Sequence, residues 1–388
     1  MSLGIYIQVP FCQTKCTYCN FHTGVVSSAR FAPYVTAVQR EIREHRARLC
    51  NAGVTLPTSL DSEIVDTVYF GGGTPSLLDP AHLLVMLDAI RETFRSELRE
   101  VTLEADPETV EPQRAAAWAA AGIKRISFGV QSFSDIELKA TGRMHRRADI
   151  YRAMPILHEA GIFNTSFDLI AGLPHQTPES WHNSLDELIQ LAPPHVSIYL
   201  LEVDEGSHLG SELLRGGTKY SASAVPSDDA MAESYNLART LLAAAGYEHY
   251  EISNFAKPGF NSQHNRKYWR REPYFGFGAG AHSFSGLQRW ANAHDSADYV
   301  QTIAVGKTPV EQLETISTSQ ALEEELFLGL RQLAGIDLGR LQDIYGMSIN
   351  DRFQTLETSG LLERDGSIVR LAPRHLSISN EVFVELMR

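Results

Sequence analysis

Three of the four cysteines in this chain lie close together and could hold a metal. Cys12, Cys16 and Cys19 have the spacing C-x3-C-x2-C, which ordinary core thiols seldom produce. With His22 as a fourth ligand, they could form a small tetrahedral zinc site. Alternatively, three thiolates could hold an iron–sulfur cluster and leave one iron open to a small chelating molecule. Cys50 lies apart from this group, and we expect it to be a packed thiol.

Alternating strand and helix patterns predict how these cysteines are positioned. Short segments rich in β-branched and aromatic residues predict six strands, over residues 4–9, 64–70, 101–104, 125–128, 165–170 and 196–200. Helical patterns lie between them, and Asp79 with Pro80 is expected to begin the second helix. The alternation predicts an α/β fold with a parallel sheet. Six units are too few for a closed eight-stranded barrel, so we expect an open, partial one.

Residues suited to ligand binding follow the ends of these strands. The glycine run 71–73 and Thr74 come after the second strand, where glycine permits close approach of the backbone to a ligand. Glu104 ends the third strand, Gln131 follows the fourth, and Asp168 lies on the fifth. Because the carboxyl ends of barrel strands form one face, we expect these residues to surround one ligand.

Composition and charge narrow the function classes. The formal net charge of −13 disfavours a general nucleic-acid binder. From about residue 320, three helical patterns and a hairpin turning at Asp365-Gly366 predict a winged-helix-like unit. Ala321 onward has 11 acidic residues against 7 arginines, so we do not expect this unit to bind DNA. There is no apolar run long enough for a membrane span and no secretory signal pattern, and we expect a cytoplasmic protein.

The cysteine motif, with Tyr18 before the last cysteine, resembles that of the radical S-adenosylmethionine (SAM) superfamily. This resemblance implies a [4Fe-4S] cluster whose open iron binds SAM and cleaves it to a 5′-deoxyadenosyl radical. Nearly the whole chain is similar to oxygen-independent coproporphyrinogen III oxidases and their relatives, most clearly over residues 6–12, 69–76, 127–133 and 168–174. The implied fold is a partial (β/α)6 TIM-like barrel with a C-terminal winged-helix-like α+β domain.

The same resemblance implies the cofactor contacts. Residues expected to touch the cluster-bound SAM are Tyr6, Gly72 and Glu104. Residues that match positions holding a second SAM molecule in the oxidase are Tyr18, Gly73, Thr74, Gln131, Arg143 and Asp168. Whether this chain binds one SAM molecule or two stays open. Arg143 belongs to a basic run that could also clamp a carboxylate or phosphate.

Two departures from the oxidase favour its heme-chaperone branch, HemW. The oxidase has a further cysteine two residues after the third ligand, and here that position is Phe21. The expected first strand begins near Leu3, which leaves no room for the N-terminal extension of the oxidase. The branch also has a motif HNxxYW, and this sequence has it over residues 264–269.

The HNxxYW motif could bind heme. The imidazole of His264 can ligate heme iron axially, although His282 and several other histidines are competing candidates. Tyr268 and Trp269 offer flat apolar faces for a porphyrin, and Asn265 completes the match.

These resemblances together predict a heme chaperone that carries a [4Fe-4S] cluster and SAM and hands heme to acceptor hemoproteins, respiratory ones among them. The alternative is oxygen-independent oxidative decarboxylation of coproporphyrinogen III, and radical degradation of heme is a third possibility. The predicted divisions are a radical SAM partial barrel over 1–246, a connecting segment with the heme motif over 247–319, and the winged-helix-like domain over 320–388.

Overall fold

One twelve-stranded sheet runs through most of the chain in the computed structural model, which describes residues 2–346 and 350–387. Its strand order is β14-β13-β12-β11-β1-β4-β5-β6-β7-β8-β10-β9, beside a two-stranded and a three-stranded sheet. The strands are β1 (Ser2–Val9), β2 (Phe11–Cys12), β3 (Gly24–Val25), β4 (Ile64–Gly72), β5 (Ser96–Ala105), β6 (Arg125–Gln131), β7 (Asn164–Ala171), β8 (His195–Leu200), β9 (Glu248–Glu251), β10 (Asn254–Ala256), β11 (Tyr274–Phe277), β12 (His282–Phe284), β13 (Gln288–Asn292), β14 (Val310–Thr315), β15 (Ile336–Asp337), β16 (Leu362–Asp365) and β17 (Ile368–Leu371).

Helices connect the strands of both the large sheet and the small C-terminal one. They are α1 (Phe31–Asn51), α2 (Pro80–Thr93), α3 (Pro112–Ala121), α4 (Asp135–Ala140), α5 (Arg147–Glu159), α6 (Pro178–Leu191), α7 (His208–Leu214), α8 (Asp228–Ala244), α9 (Gln263–Trp269), α10 (Ser296–Ala304), α11 (Thr318–Leu330), α12 (Leu338–Tyr345), α13 (Asn350–Thr358) and α14 (Ser379–Met387). In the part of the chain that the structure describes, none of these helices has the length and apolar character needed to cross a lipid bilayer.

The six predicted strands are confirmed as the parallel centre of the sheet. Strands β1, β4, β5, β6, β7 and β8 are neighbours in that order, and each pair is parallel. A helix lies between each strand and the next along the chain, as repeated βα units require. Ile5, Ile7 and Val9 of β1 are fully buried, since helices cover the outer face of the sheet. The predicted partial α/β barrel is therefore present.

Local signals correctly located the helices that support the first strands. Asp79 accepts a hydrogen bond from the Ala81 N–H at 2.8 Å, and Pro80 is the first residue of α2, as predicted. Helix α1 packs its apolar face on the sheet, and Val35 is one of the residues buried there. The expectation for Cys50 was wrong, because its position on α1 points the thiol away from that face and leaves it exposed.

The remaining strands extend the sheet at both edges. Strands β10 and β9 follow β8 at one edge, while β11 pairs in parallel with β1 and begins an antiparallel run to β14 at the other. Helices α11 to α14 and the small sheet β15-β17-β16 form the C-terminal unit, and Gly366 with φ of 61° lies in the predicted hairpin turn. The three domain boundaries stay predictions.

Candidate cofactor site

A cavity of about 410 Å³ lies at the carboxyl ends of the parallel strands. The topology brings the cysteine loop and most of the predicted strand-end residues to its walls. The predicted residues that line it are Cys12, Cys16, Tyr18, Cys19, Gly72, Gly73, Thr74, Glu104, Gln131, Arg143 and Asp168. Asp106 and Tyr199 line it as well. Sequence reasoning missed both, although Asp106 directly follows β5 and carries the same signal as the residues that were found.

The three cysteines lie around the loop that follows β1, and each is half-buried. The Cys19 N–H donates to the Cys16 carbonyl oxygen at 3.2 Å, which closes a turn around the motif. A guanidinium nitrogen of Arg143 lies 3.7 Å from Cys16 Sγ, which places a positive charge beside the cysteine loop. Burial raises the pKa of Cys12 and of Cys19, so that metal binding would release their protons.

The geometry does not support zinc with His22 as fourth ligand. The exposed ring of His22 lies against His294, with 4.3 Å between the ring centroids. Across residues 2–346 and 350–387, no three His, Cys, Asp or Glu side chains are grouped so that they could hold one metal ion. A four-iron cube bonds each thiolate to a different iron, so it does not need three sulfurs around one ion.

Gly72 and Gly73 bring the end of β4 against the cysteine loop. Gly72 has φ of 113°, a conformation that other residues rarely adopt, and its N–H donates to Glu104 Oε2 at 2.9 Å. A Cβ at Gly73 would collide with the Phe11 carbonyl oxygen and lie 3.0 Å from Cys12 Sγ. The missing side chains therefore let the backbone line the cavity directly beside the cysteines.

Arg143 is fixed at the cavity wall by its neighbours. It forms an ion pair with Asp106 and donates to the Gly129 carbonyl oxygen at 2.6 Å. Thr74 Oγ1 also donates to Asp106, at 3.3 Å. Gln131 has φ of 64°, which costs energy for a residue with a side chain and is typical of functional sites. The fixed guanidinium of Arg143 and the strained backbone of Gln131 thus face the same cavity.

Two half-buried carboxyl groups line the interior side of the cavity. Glu104 Oε1 accepts a hydrogen bond from the Tyr69 hydroxyl at 2.9 Å, and burial raises the pKa of Glu104 to about 7. Asp168 accepts hydrogen bonds from Ser127 at 3.3 Å and Ser166 at 3.5 Å, and burial raises its pKa as well. An ammonium or hydroxyl group of a ligand could add a further hydrogen bond to either carboxyl group.

Tyr6, which the resemblance implies as a SAM contact, lies beneath the strand-end residues that line the cavity. It is not among the residues that line the cavity. Its hydroxyl donates to Gln8 Oε1 at 2.9 Å, and its ring stacks on Tyr69 with centroids 6.0 Å apart. A direct contact between Tyr6 and SAM stays a prediction.

The HNxxYW motif forms helix α9 at the opposite end of the barrel. The His264 N–H donates to Glu100 Oε1 at 3.0 Å, so a carboxylate from β5 caps the first turn of the helix. Lys267 Nζ lies 2.9 Å from Asp66 Oδ1 and 2.6 Å from Ser2 Oγ, near the starts of β4 and β1. The motif therefore closes the amino-terminal end of the strands, away from the cysteines.

Both ring nitrogens of His264 are already engaged. Nδ1 lies 2.9 Å from Thr67 Oγ1, and Nε2 lies 2.8 Å from the Tyr268 hydroxyl. The side chain is 1% exposed, and burial lowers the pKa of His264 to about 3, so the imidazole is neutral. Its ring packs on Tyr69, with 5.3 Å between centroids. Ligation of heme iron by His264 would require one of these hydrogen bonds to break.

The other motif residues join helix α9 to its surroundings. The ring of Tyr268 packs edge-on against Tyr274, with centroids 4.6 Å apart. The guanidinium of Arg331, just after α11, lies 4.6 Å from the ring centroid of Trp269. Asn265 is half-buried, and its N–H donates to Ser262 Oγ at 3.3 Å. A role of these residues in heme binding stays a prediction.

The cavity has the donor set that an iron–sulfur cluster and SAM require. Three half-buried thiols face it from one loop, glycine backbone lies beside them, and carboxyl and guanidinium groups surround the remaining space. The fold and this site define a protein of the radical SAM superfamily, whose profile matches residues 6–188. The HemN C-terminal domain profile matches residues 316–375.

Comparison with known proteins identifies the branch. The chain is 33% identical to the heme chaperone HemW of Bacillus subtilis over 97% of both chains. It is 36% identical to the heme chaperone HemW of Escherichia coli, over 72% of this chain and 69% of that protein. The chain belongs to the HemW family.

A solved structure confirms the predicted fold. Coproporphyrinogen III oxidase (HemN) from Escherichia coli, described as a radical SAM enzyme, superimposes with a TM-score of 0.84 over 99% of this chain and 90% of that chain. The sequence identity is 21%, so this likeness establishes the fold alone.

Proposed function

We propose that this protein is a cytoplasmic heme chaperone, which binds heme and transfers it to acceptor hemoproteins, including respiratory ones. The observation that carries the proposal is the similarity to the heme chaperone HemW of Bacillus subtilis over 97% of both chains. A match of that extent includes the barrel, the motif helix α9 and the C-terminal unit, and not the cysteine loop alone.

The cavity supports a [4Fe-4S] cluster and SAM as cofactors of this chaperone. Cys12, Cys16 and Cys19 would hold three irons, and the backbone at Gly72 with Glu104 would take up the amino group of SAM. When bound, the cluster can supply an electron to the sulfonium of SAM. Residues that would contact the rest of this cofactor, or a second molecule of it, are Tyr18, Gly73, Thr74, Gln131, Arg143 and Asp168.

The second candidate is oxidative decarboxylation of coproporphyrinogen III. The observation in its favour is that the HemN C-terminal domain profile matches residues 316–375. Against it stands Phe21, which occupies the position of the oxidase's additional cysteine. Its side chain is 64% exposed at the cavity wall and offers no ligand to a metal or a proton.

One preparation can decide between the two candidates. Anaerobically purified, cluster-loaded protein is titrated with hemin and, in parallel, assayed with coproporphyrinogen III, SAM and a reductant. The chaperone proposal predicts a saturable Soret band, transfer of heme to an added apo-hemoprotein and no divinyl product. Turnover to the divinyl porphyrinogen would favour the oxidase instead.

The cluster assignment has a matched control within the chain. Replacing Cys12, Cys16 or Cys19 by Ala should each abolish stable loading of four irons, because each thiolate would hold a different iron of the cluster. Cys50→Ala, on the exposed surface of α1, should load normally. Full iron content in all four variants, measured by iron analysis and visible absorption, would contradict the assignment.

A further inference from the structure

We propose that heme iron binds at a histidine patch formed by His22, His282 and His294, beside the cysteine loop, rather than at the HNxxYW motif. The proposal rests on the proposed function, since it names the place where the chaperone would hold its cargo. The ligand class is an iron porphyrin with one imidazole as axial ligand.

The motif histidine is closed to a ligand. His264 is 1% exposed, and its two ring nitrogens contact the hydroxyls of Thr67 and Tyr268. A porphyrin has a flat face several ångströms across, and it could reach this nitrogen only if helix α9 left the barrel. That helix is held by the buried Lys267, which is paired with Asp66, and by Glu100 at its first turn.

Three separate segments of the chain bring the other histidines together at the surface. His22 follows the cysteine motif, His282 begins β12, and His294 comes two residues after β13. The ring centroids of His22 and His294 are 4.3 Å apart. His282 pairs across the sheet with Ala291, which places it on the same hairpin as His294. A cluster assembled from such distant parts of the chain is not a product of local sequence.

Glycine makes room for this arrangement. Gly280 has φ of 71°, and its N–H donates to the Ala293 carbonyl oxygen at 2.7 Å. A Cβ at Gly280 would lie 3.0 Å from His294 Nδ1. The backbone therefore passes directly over the imidazole, and it holds the ring against His22.

The imidazoles of the patch have unused nitrogens. His294 Nδ1 is buried and has no hydrogen-bond partner within residues 2–346 and 350–387. His22 and His282 are exposed, so that a ligand can approach them. Partial desolvation of the His282 ring, followed by the neighbouring His294, Arg289 and His22, lowers the pKa of His282, and the neutral imidazole is the form that ligates iron.

Apolar side chains next to the patch could receive the porphyrin ring. Phe21 precedes His22, is 64% exposed and also lines the cofactor cavity. Val25, on β3 at the end of the same loop, is 58% exposed. Exposed apolar side chains can mark a ligand-binding surface, and the flat ring of Phe21 can pack against a porphyrin. Heme bound here would lie at the mouth of the cavity that holds the cluster.

Anaerobic titration with hemin tests this placement. We expect the double variant His22→Ala/His282→Ala to bind hemin at least about tenfold more weakly, with a shifted Soret band and altered electron resonance of the heme iron, because both accessible imidazoles are lost. His158→Ala removes an exposed histidine on α5, outside the patch, and should match the wild type. His282→Ala alone serves if the double variant loads its cluster poorly, since His282 lies outside the cysteine loop.

The outcomes separate the placement from the function. Unchanged hemin affinity and an unchanged Soret band in the patch variants would overturn the histidine patch. If His264→Gln loses heme while the patch variants keep it, the motif holds the iron and the chaperone proposal still stands. If the wild-type protein binds no hemin, the proposed function and the patch fall together.

Discussion

Replacement of His264 by Ala should destabilise the barrel strongly. The imidazole bridges Thr67 on β4 and Tyr268 on α9, at 2.9 Å and 2.8 Å. It therefore joins the motif helix to the inside of the sheet. Loss of the ring also removes the packing partner of Tyr69, whose hydroxyl donates to Glu104 at the cofactor cavity. The substitution thus affects both ends of the barrel.

The size of this stability loss follows from the two hydroxyl groups that would lose their partner. Thr67 is fully buried, and an unsatisfied buried hydroxyl costs about 1–3 kcal/mol. Tyr268 is half-buried, so losing the hydrogen bond between its hydroxyl and His264 costs less. The space left by the His264 ring adds a packing cost of about 1–2 kcal/mol. Together these effects predict a free energy of unfolding that is lower by about 3–5 kcal/mol.

The effect of this substitution should depend on pH in a defined direction. His264 has a pKa of about 3 in the folded protein, against about 6.5 when unfolded, so the unfolded state binds the extra proton between these values. The stabilisation by His264 is therefore complete above pH 6.5 and decreases as the pH falls. At pH 5, the difference between wild type and variant should be smaller than at pH 7 by about 2 kcal/mol.

Urea unfolding of the cluster-free protein at pH 5 and pH 7 measures both quantities. His158→Ala, an exposed substitution on α5, should change the free energy of unfolding by less than about 0.5 kcal/mol. A loss below about 1 kcal/mol for His264→Ala, or a difference that does not shrink at pH 5, would refute the reasoning from the two buried hydrogen bonds.

Two further predictions concern the cavity and the core. Gly73→Ala should prevent cluster loading and lower the free energy of unfolding by about 1–3 kcal/mol, because the added Cβ would displace Phe11 and Cys12. Gly24→Ala is the control, since a Cβ there would have no neighbour closer than 4.0 Å. Normal iron content in Gly73→Ala would contradict this prediction. Burial raises the pKa of Glu41 to about 7, so the folded protein keeps a proton that the unfolded chain releases from about pH 4.5 upward. Between pH 4.5 and pH 7, the free energy of unfolding of the wild type should therefore fall by about 3 kcal/mol relative to that of Glu41→Gln. Urea unfolding across this range measures it, and a constant difference between the two proteins would disprove the prediction.

Much of the fold could be predicted from local signals. The six parallel strands and the start of α2 at Pro80 follow from residue type and periodicity, which act over a few neighbouring residues. The strand-end residues Glu104, Gln131 and Asp168 converge because parallel strands present their carboxyl ends on one face. Cys50 was misjudged, since its exposure depends on how helix α1 rotates against the sheet.

The sequence by itself determined the chemistry available at the cysteine loop, because three thiols within eight residues stay close in any compact fold. Only the tertiary structure decided where the other groups lie relative to that loop. His264 is sealed at the far end of the barrel, whereas His22, His282 and His294 come together from three separate elements. The physical reason is that strand order and helix docking depend on contacts between residues far apart in the chain, and such contacts leave no periodic signal in the sequence.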